Sequence, residues 1–223
     1  MAAAAIFIST LPAITIGTPA TDPTCFPFGC EGTRYQQVYA ADSFSNPFTI
    51  GAINFFTVDP GTLPTGTFSF SLSTSANPVD ALDTAVLDNN LGADNQLFGA
   101  FQLDGSLAGP TLSFIGTPFL YDPSMGDLLL DMQISISQFG GATFLGHNAT
   151  AGGLFSRAHD FGGGFAGYGL VTEFLPPTGD NEGPTPVPEP GTLMLVGGGL
   201  LFALRNKSLR SRFAGLRSSA NPN

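Results

Sequence analysis

The sequence predicts an all-β body, an antiparallel β-sandwich of jelly-roll type, followed by a proline-rich linker and a short membrane helix. Three observations carry that expectation. Thr67-Phe68-Ser69-Phe70-Ser71-Leu72-Ser73 alternates strictly between apolar and hydroxyl side chains, the period of a half-buried strand. Short runs of this kind recur about every ten residues between turn-forming clusters, as in sandwiches. Repeated helical patterns, which a parallel α/β sheet would need, do not occur. Composition agrees: charged residues make up 11% of the chain, about half the usual share, so Gly, Ser, Thr and Asn supply much of the polar surface. The chain has 21 Phe and no Trp, and Phe fills a sandwich core without a polar atom to satisfy.

Residues 1–16 are apolar and rich in small side chains, as in the hydrophobic region of an export signal. No basic residue precedes them and Thr18-Pro19-Ala20 makes a poor cleavage site. The expectation is an export signal over 1–20 whose true start lies upstream. A Cys-containing segment, 21–34, comes next. Cys25 and Cys30 in Cys-Phe-Pro-Phe-Gly-Cys are the only cysteines, and an even pair this close in an exported chain reads as a disulfide closing a turn. A metal pair would need further His or Cys ligands nearby, and there are none.

The body is expected over 35–175. Besides 67–73, Met132, Ile134 and Ile136 alternate with Asp131, Gln133, Ser135 and Ser137, a second half-buried strand. Weaker runs lie at 48–58, 97–103, 111–115, 142–145 and 168–174. Asp59-Pro60-Gly61, Asp104-Gly105 and Asp122-Pro123-Ser124 supply turn chemistry between them. In 79–91, Ala81, Leu82, Ala85 and Val86 have helical spacing, so this stretch is either one helical insertion or a long loop. The six prolines from Pro176 to Pro190 make 176–190 a stiff spacer at ~3.1 Å per residue.

Charge is unevenly placed. All 17 acidic residues precede Arg205, and five of the seven basic ones lie from Arg205 onward. A body this acidic repels phosphate backbones, which argues against nucleic acid as a partner.

At the C-terminus, Val187-Pro188-Glu189-Pro190-Gly191-Thr192-Leu193 runs into an apolar stretch over 191–204 and then Arg205, Lys207, Arg210 and Arg212. Proline removes backbone donors and holds the chain extended, a form that a processing enzyme can bind. Basic residues beside a membrane segment stay on the cytoplasmic side, so 205–223 reads as a cytoplasmic tail. As a helix, the 14 apolar residues span ~21 Å of a ~30 Å hydrocarbon core, and snorkelling by Arg205 and Lys207 extends them. Proline-flanked glutamate, apolar segment and basic stop, in that order, resemble the PEP-CTERM sorting signal. The resemblance implies an exosortase that recognises Pro188, Glu189 and Pro190 and removes the segment behind them, with Glu189 a recognition residue. It also implies export to the envelope, outer surface or extracellular matrix of a Gram-negative bacterium, and an association with exopolysaccharide and biofilm.

The body is similar, more loosely, to β-rich ectodomains carried by PEP-CTERM proteins. The matching residues are Arg34-Tyr35-Gln36-Gln37-Val38-Tyr39, Asn90-Leu91-Gly92-Ala93-Asp94-Asn95, Pro118-Phe119-Leu120-Tyr121-Asp122-Pro123 before Leu128-Leu129-Leu130-Asp131, and Gly167-Tyr168-Gly169-Leu170-Val171-Thr172. That likeness implies fold and location, and no enzymatic activity.

Catalytic constellations are sparse. His147 and His159 are the only histidines. His159 and Asp160 are adjacent, so on a strand they point to opposite faces, and Ser156 lacks a Gly-x-Ser-x-Gly elbow. His147, in Gly-His-Asn, is expected in a turn. The chain is therefore read as a non-catalytic structural or adhesive protein rather than an enzyme; a secreted hydrolase with a carboxylate pair ranks last. The alternative is a carbohydrate- or calcium-binding module. Asp88, Asn89, Asn90, Asp94 and Asn95 gather five oxygen-donor side chains within eight residues, the hard donors Ca2+ takes, although Asx-rich turns also form without metal. Sugar binding would use Tyr35, Tyr39, Tyr121 or Tyr168 as a platform, positions that serve equally well as half-buried strand residues.

Overall fold

The computed structural model describes residues 12–18, 22–29, 32–59, 61–107, 109–141, 143–148, 153–160 and 163–178. The described residues all lie within one unit, Met1–Asn181. They form β1 (Ile14–Ile16), β2 (Asp22–Thr24), β3 (Arg34–Tyr39), β4 (Phe48–Asp59), β5 (Thr65–Thr74), β6 (Gln96–Leu103) and β7 (Thr111–Tyr121). Then come β8 (Leu128–Gln138), β9 (Thr143–Asn148), β10 (Phe155–His159), β11 (Gly163–Ala166), β12 (Tyr168–Leu170) and β13 (Thr172–Leu175). All strand pairings are antiparallel, and the body is all-β.

Two sheets result. One has the order β1-β13-β4-β9-β12, with β7 also on β4 and β2 also on β9. The other has the order β11-β10-β3-β8-β5-β6. The alternation read in β5 and β8 sets their faces: Phe68, Phe70 and Leu72 pack inward beside Leu130, Met132 and Ile134. From the opposite sheet Ile53, Phe55, Phe114, Phe119 and Phe174 join the same core. The Phe55 and Phe70 rings meet edge to face at 6.4 Å, and the Phe70 and Phe114 rings are tilted with centroids 4.6 Å apart. Each fully buried Phe contributes on the order of 2–3 kcal/mol by removal from water.

Polar bonds also tie the sheets together. The Gln37 side chain is wholly buried; its Nε2 donates to Leu170 O at 2.9 Å and its Oε1 accepts from Leu170 N at 2.7 Å. Tyr35 Oη donates to the same Oε1 at 2.6 Å. Tyr39 Oη lies 2.8 Å from Thr172 Oγ1. Burial pushes the Tyr35 hydroxyl up to about 12 and that of Tyr39 well above its ordinary value, so both remain protonated donors.

Several expectations change. Residues 79–91 form no α-helix; the stretch is irregular, with a single 3-10 turn at Leu87–Asn90. Asn and Asp side chains there bond to nearby backbone, which competes with helix formation. His147 lies in a strand, where it pairs with Gly169, and not in a turn. The expected run 111–115 continues to Tyr121 through Pro118, which an edge strand tolerates. Asp122 does initiate a turn, its carboxylate accepting from Ser124 N.

The sheets also draw in residues N-terminal to the expected boundary at 35. Ile14–Ile16 pairs with β13, and Ile16 is 3% exposed in the core. Phe28, inside the Cys-Phe-Pro-Phe-Gly-Cys turn, is wholly buried, with its ring centroid 5.3 Å from Phe55 and 5.3 Å from Phe68. Cys25 is disulfide-bonded, and Cys30, the one other cysteine in the sequence, lies outside the described residues. The N-terminal segment thus contributes an aromatic side chain to the core between the sheets.

Candidate functional site

The outer face of the six-stranded sheet carries the most organised polar chemistry among the described residues. On β3 and β8, Gln36 and Asp131 sit side by side in register and face away from the core. Both are buried, because the segment between β5 and β6 lies over them. Gln36 Nε2 donates to Asp131 Oδ1 at 2.9 Å and to Leu87 O at 3.0 Å. Asn90, also wholly buried, is the hub of this contact. Its Nδ2 donates to Gln36 Oε1 at 2.8 Å and Asp83 O at 2.9 Å. Its Oδ1 accepts from Asn77 Nδ2 and Asp83 N, both at 2.8 Å. The same segment is tied down by Val79 N to Asp127 Oδ2 and by Asp80 N to Ser156 Oγ. Asp80 takes a positive φ of 65°, rare for a non-glycine residue, while its carboxylate accepts from Gly167 N.

Arg34 closes the network. Its Nε and Nη2 donate to the two oxygens of Asp131 at 2.7 and 3.2 Å, and its Nη1 donates to Asp88 at 2.6 Å. Burial works against the Arg34 charge, but Asp131 and Asp88 outweigh it and raise its pKa.

These contacts account for most of the residues singled out as cation ligands. Asp88 pairs with Arg34. Asn89 donates to Asp83 Oδ2 at 2.7 Å. Asn90 is the hub just described. Asp94 accepts from Thr74 N and Thr74 Oγ1. Asn95 is exposed, with its backbone N–H on Gly92 O. The cluster is thus divided among Arg34, Asp83, Gln36 and Thr74 rather than turned toward one point. Among the described residues no group of three or more His, Cys, Asp or Glu is placed to hold a metal. Hydrogen bonds from Val86 N, Asn89 and Ala85 N hold the Asp83 carboxylate below its usual range.

Beside this network the sheet face opens into a groove. One depression of about 520 Å³ is lined by Thr33, Arg34, Thr67, Ser69, Asp88, Gln133, Ile134 and Ser135. A second, of about 450 Å³, shares Thr33, Ile134 and Ser135 with it and extends to Gly32, Ile136, Phe139 and Asp160. Strand register sets the floor: Thr67 lies opposite Ser135, Ser69 opposite Gln133, and Gln133 opposite Arg34. At the far end Asp160 accepts from Thr33 N at 2.9 Å and from Thr33 Oγ1. Burial works against the Asp160 charge, yet these bonds hold its pKa low. Phe139 stands 53% exposed. The sequence showed the alternation of β5 and β8 but not their adjacency, so this floor was not legible.

The tyrosines form no sugar platform. Tyr35, Tyr39 and Tyr121 are buried in the core, and Tyr168 is half-buried with the Arg157 guanidinium 4.2 Å over its ring. His159 ends β10 and Asp160 follows it directly, and the two side chains take different partners. His159 is buried and stacked on Phe26 at 4.7 Å, while Asp160 serves Thr33. Ser156 Oγ accepts from Asp80 N, on the face of the strand opposite His159.

Pro188, Glu189, Pro190, Arg205, Lys207, Arg210 and Arg212 lie outside the described residues, as does the apolar stretch 191–204. Among the described residues no helix is long and apolar enough to cross a membrane. Residues 186–208 match the family model of the PEP-CTERM protein-sorting motif. No curated protein and no solved structure matches the chain significantly. Fold and motif together define a β-rich body carrying a bacterial sorting signal. The chain is consistent with a PEP-CTERM sorting domain-containing protein, and the motif supports an exported surface protein sorted by an exosortase.

Proposed function

We propose that this chain is a non-catalytic structural or adhesive component of the outer surface or extracellular matrix of a Gram-negative bacterium, linked to its exopolysaccharide or biofilm. The sorting motif at 186–208 carries the reading. An exosortase would recognise Pro188, Glu189 and Pro190, with Arg205, Lys207, Arg210 and Arg212 holding the tail on the cytoplasmic side until processing. The body suits exposure to an oxidising exterior: Cys25 is disulfide-bonded, a bond that the cytosol disfavours. A low charge density and a hydroxyl-rich sheet face fit a hydrated polymer layer.

The test is a deletion strain of the native host. Matrix retention on a washed surface is compared among wild type, deletion, and deletion complemented with the full gene. The proposal expects the protein on intact cells or in the matrix fraction, reduced retention in the deletion and recovery on complementation. Unchanged retention in the deletion would rule out the structural role.

A further inference from the structure

We propose that the groove beside Arg34 binds a neutral oligosaccharide chain; this deepens the adhesive reading above, on which its biological sense rests. The lining supplies the chemistry of a polyhydroxylated ligand. Ser69 and Ser135 each offer a hydroxyl that donates and accepts, Thr67 Oγ1 accepts from Gln102 and keeps its donor, Thr33 Oγ1 donates to Asp160 and keeps an acceptor lone pair, and Gln133 offers both roles through its amide. Sugar hydroxyls need this mixture, and purely apolar or purely cationic surfaces do not provide it.

Charge narrows the class further. Arg34, the one cation among the described residues that line the groove, is already matched by Asp131 and Asp88, and Asp160 adds a further carboxylate at the opposite end. A phosphorylated or uronic-acid polymer would be repelled by this net negative charge, whereas a neutral one would not. At the other end the exposed Phe139 ring offers an apolar face for the C–H face of a sugar ring. Polar and apolar ends are joined by shared residues, so a single chain can lie along both. From Gln133 to the end of β8 at Gln138, five strand steps at ~3.3 Å give about 17 Å, room for an oligosaccharide rather than one sugar.

The groove is also pre-organised. Arg34 is pinned by three hydrogen bonds and Asp160 by two from Thr33, so little side-chain freedom remains to be lost on binding.

The experiment uses the full-length chain in a zwitterionic detergent without a sugar headgroup. Cellohexaose, laminarihexaose and maltohexaose are titrated by calorimetry, with an alginate hexamer as the acidic probe. At least one neutral hexaose should bind with a Kd below about 1 mM. Phe139→Ala and Gln133→Ala, both at exposed positions, should each weaken it about tenfold, and Leu120→Ala on the other sheet should leave it within about twofold. No neutral binding up to about 10 mM, tighter binding of the alginate hexamer, or affinity indifferent to both groove substitutions would overturn the proposal. Because the readout is direct binding, a failed matrix-retention test would not decide this result, nor the reverse.

Discussion

Replacing Asn90 with alanine isolates the contact that holds the β5–β6 segment on the sheet. The side chain makes four hydrogen bonds of 2.8–2.9 Å and is wholly buried. Its loss leaves Gln36 Oε1 without its Asn90 donor beneath the segment, at a cost of about 1–3 kcal/mol for a buried polar atom. The Asn77 and Asp83 groups are only half-buried and reach water more readily, so they add about 0.5–1 kcal/mol between them. The sum, near 3 kcal/mol, corresponds to a Tm decrease of roughly 6–12 °C for a body of this size. Asn89→Ala is the internal control: Asn89 is exposed and its side chain donates one bond, to Asp83, so it should cost under about 2 °C. Thermal unfolding followed by far-UV circular dichroism reads both. An Asn90→Ala shift no larger than that of Asn89→Ala would refute the reasoning that this segment is an integral part of the fold.

Phe28→Ala should cost about 3–5 kcal/mol, because a wholly buried ring between Phe55, Phe68 and Phe114 is replaced by a cavity; urea unfolding with an unchanged m-value would measure it. Gly169→Ala places a Cβ 2.7 Å from Gln37 Cδ, and Gln37 is locked to Leu170, so a loss of about 1–3 kcal/mol is expected in the same assay. Burial first, and then the nearby Arg157 charge, lower the His159 pKa below its ordinary value. The unfolded chain therefore binds a proton that the folded one refuses. Stability contributed in this way is complete above about pH 6.5 and falls away as pH drops toward the lowered folded pKa. His159→Phe should flatten the stability–pH slope between about pH 7 and 5 relative to the parent, with His147 present in both chains.

Exposure decided which strands the sequence disclosed. β5 and β8 alternate because one face meets the core and the other meets water or short polar neighbours, and both were readable. β3 and β10 were not, because both of their faces are covered. Tyr35, Gln37 and Tyr39 point into the core, while Gln36, Val38 and Ser156 lie buried on the opposite face. Such strands show no period of two. The Asp88–Asn95 cluster was conspicuous because its donors are close in sequence, but two of its partners, Arg34 and Gln36, lie 54 residues away. Pairings over that distance come from strand register, which local pattern does not encode. The groove obeys the same rule: its Ser, Thr and Gln side chains were visible one strand at a time, and only the pairing of β3, β8 and β5 makes them a surface. The sorting motif, by contrast, is a linear signal and was fully legible.

The most direct measurement is the intact mass and cellular location of the protein from its native host, with and without the exosortase gene. With the enzyme present, the protein should be at the surface or in the matrix with a mass that lacks the residues behind Pro190. Without it, the uncut form should accumulate in the membrane fraction. A cytosolic protein that keeps Asn223 in both strains would contradict the account.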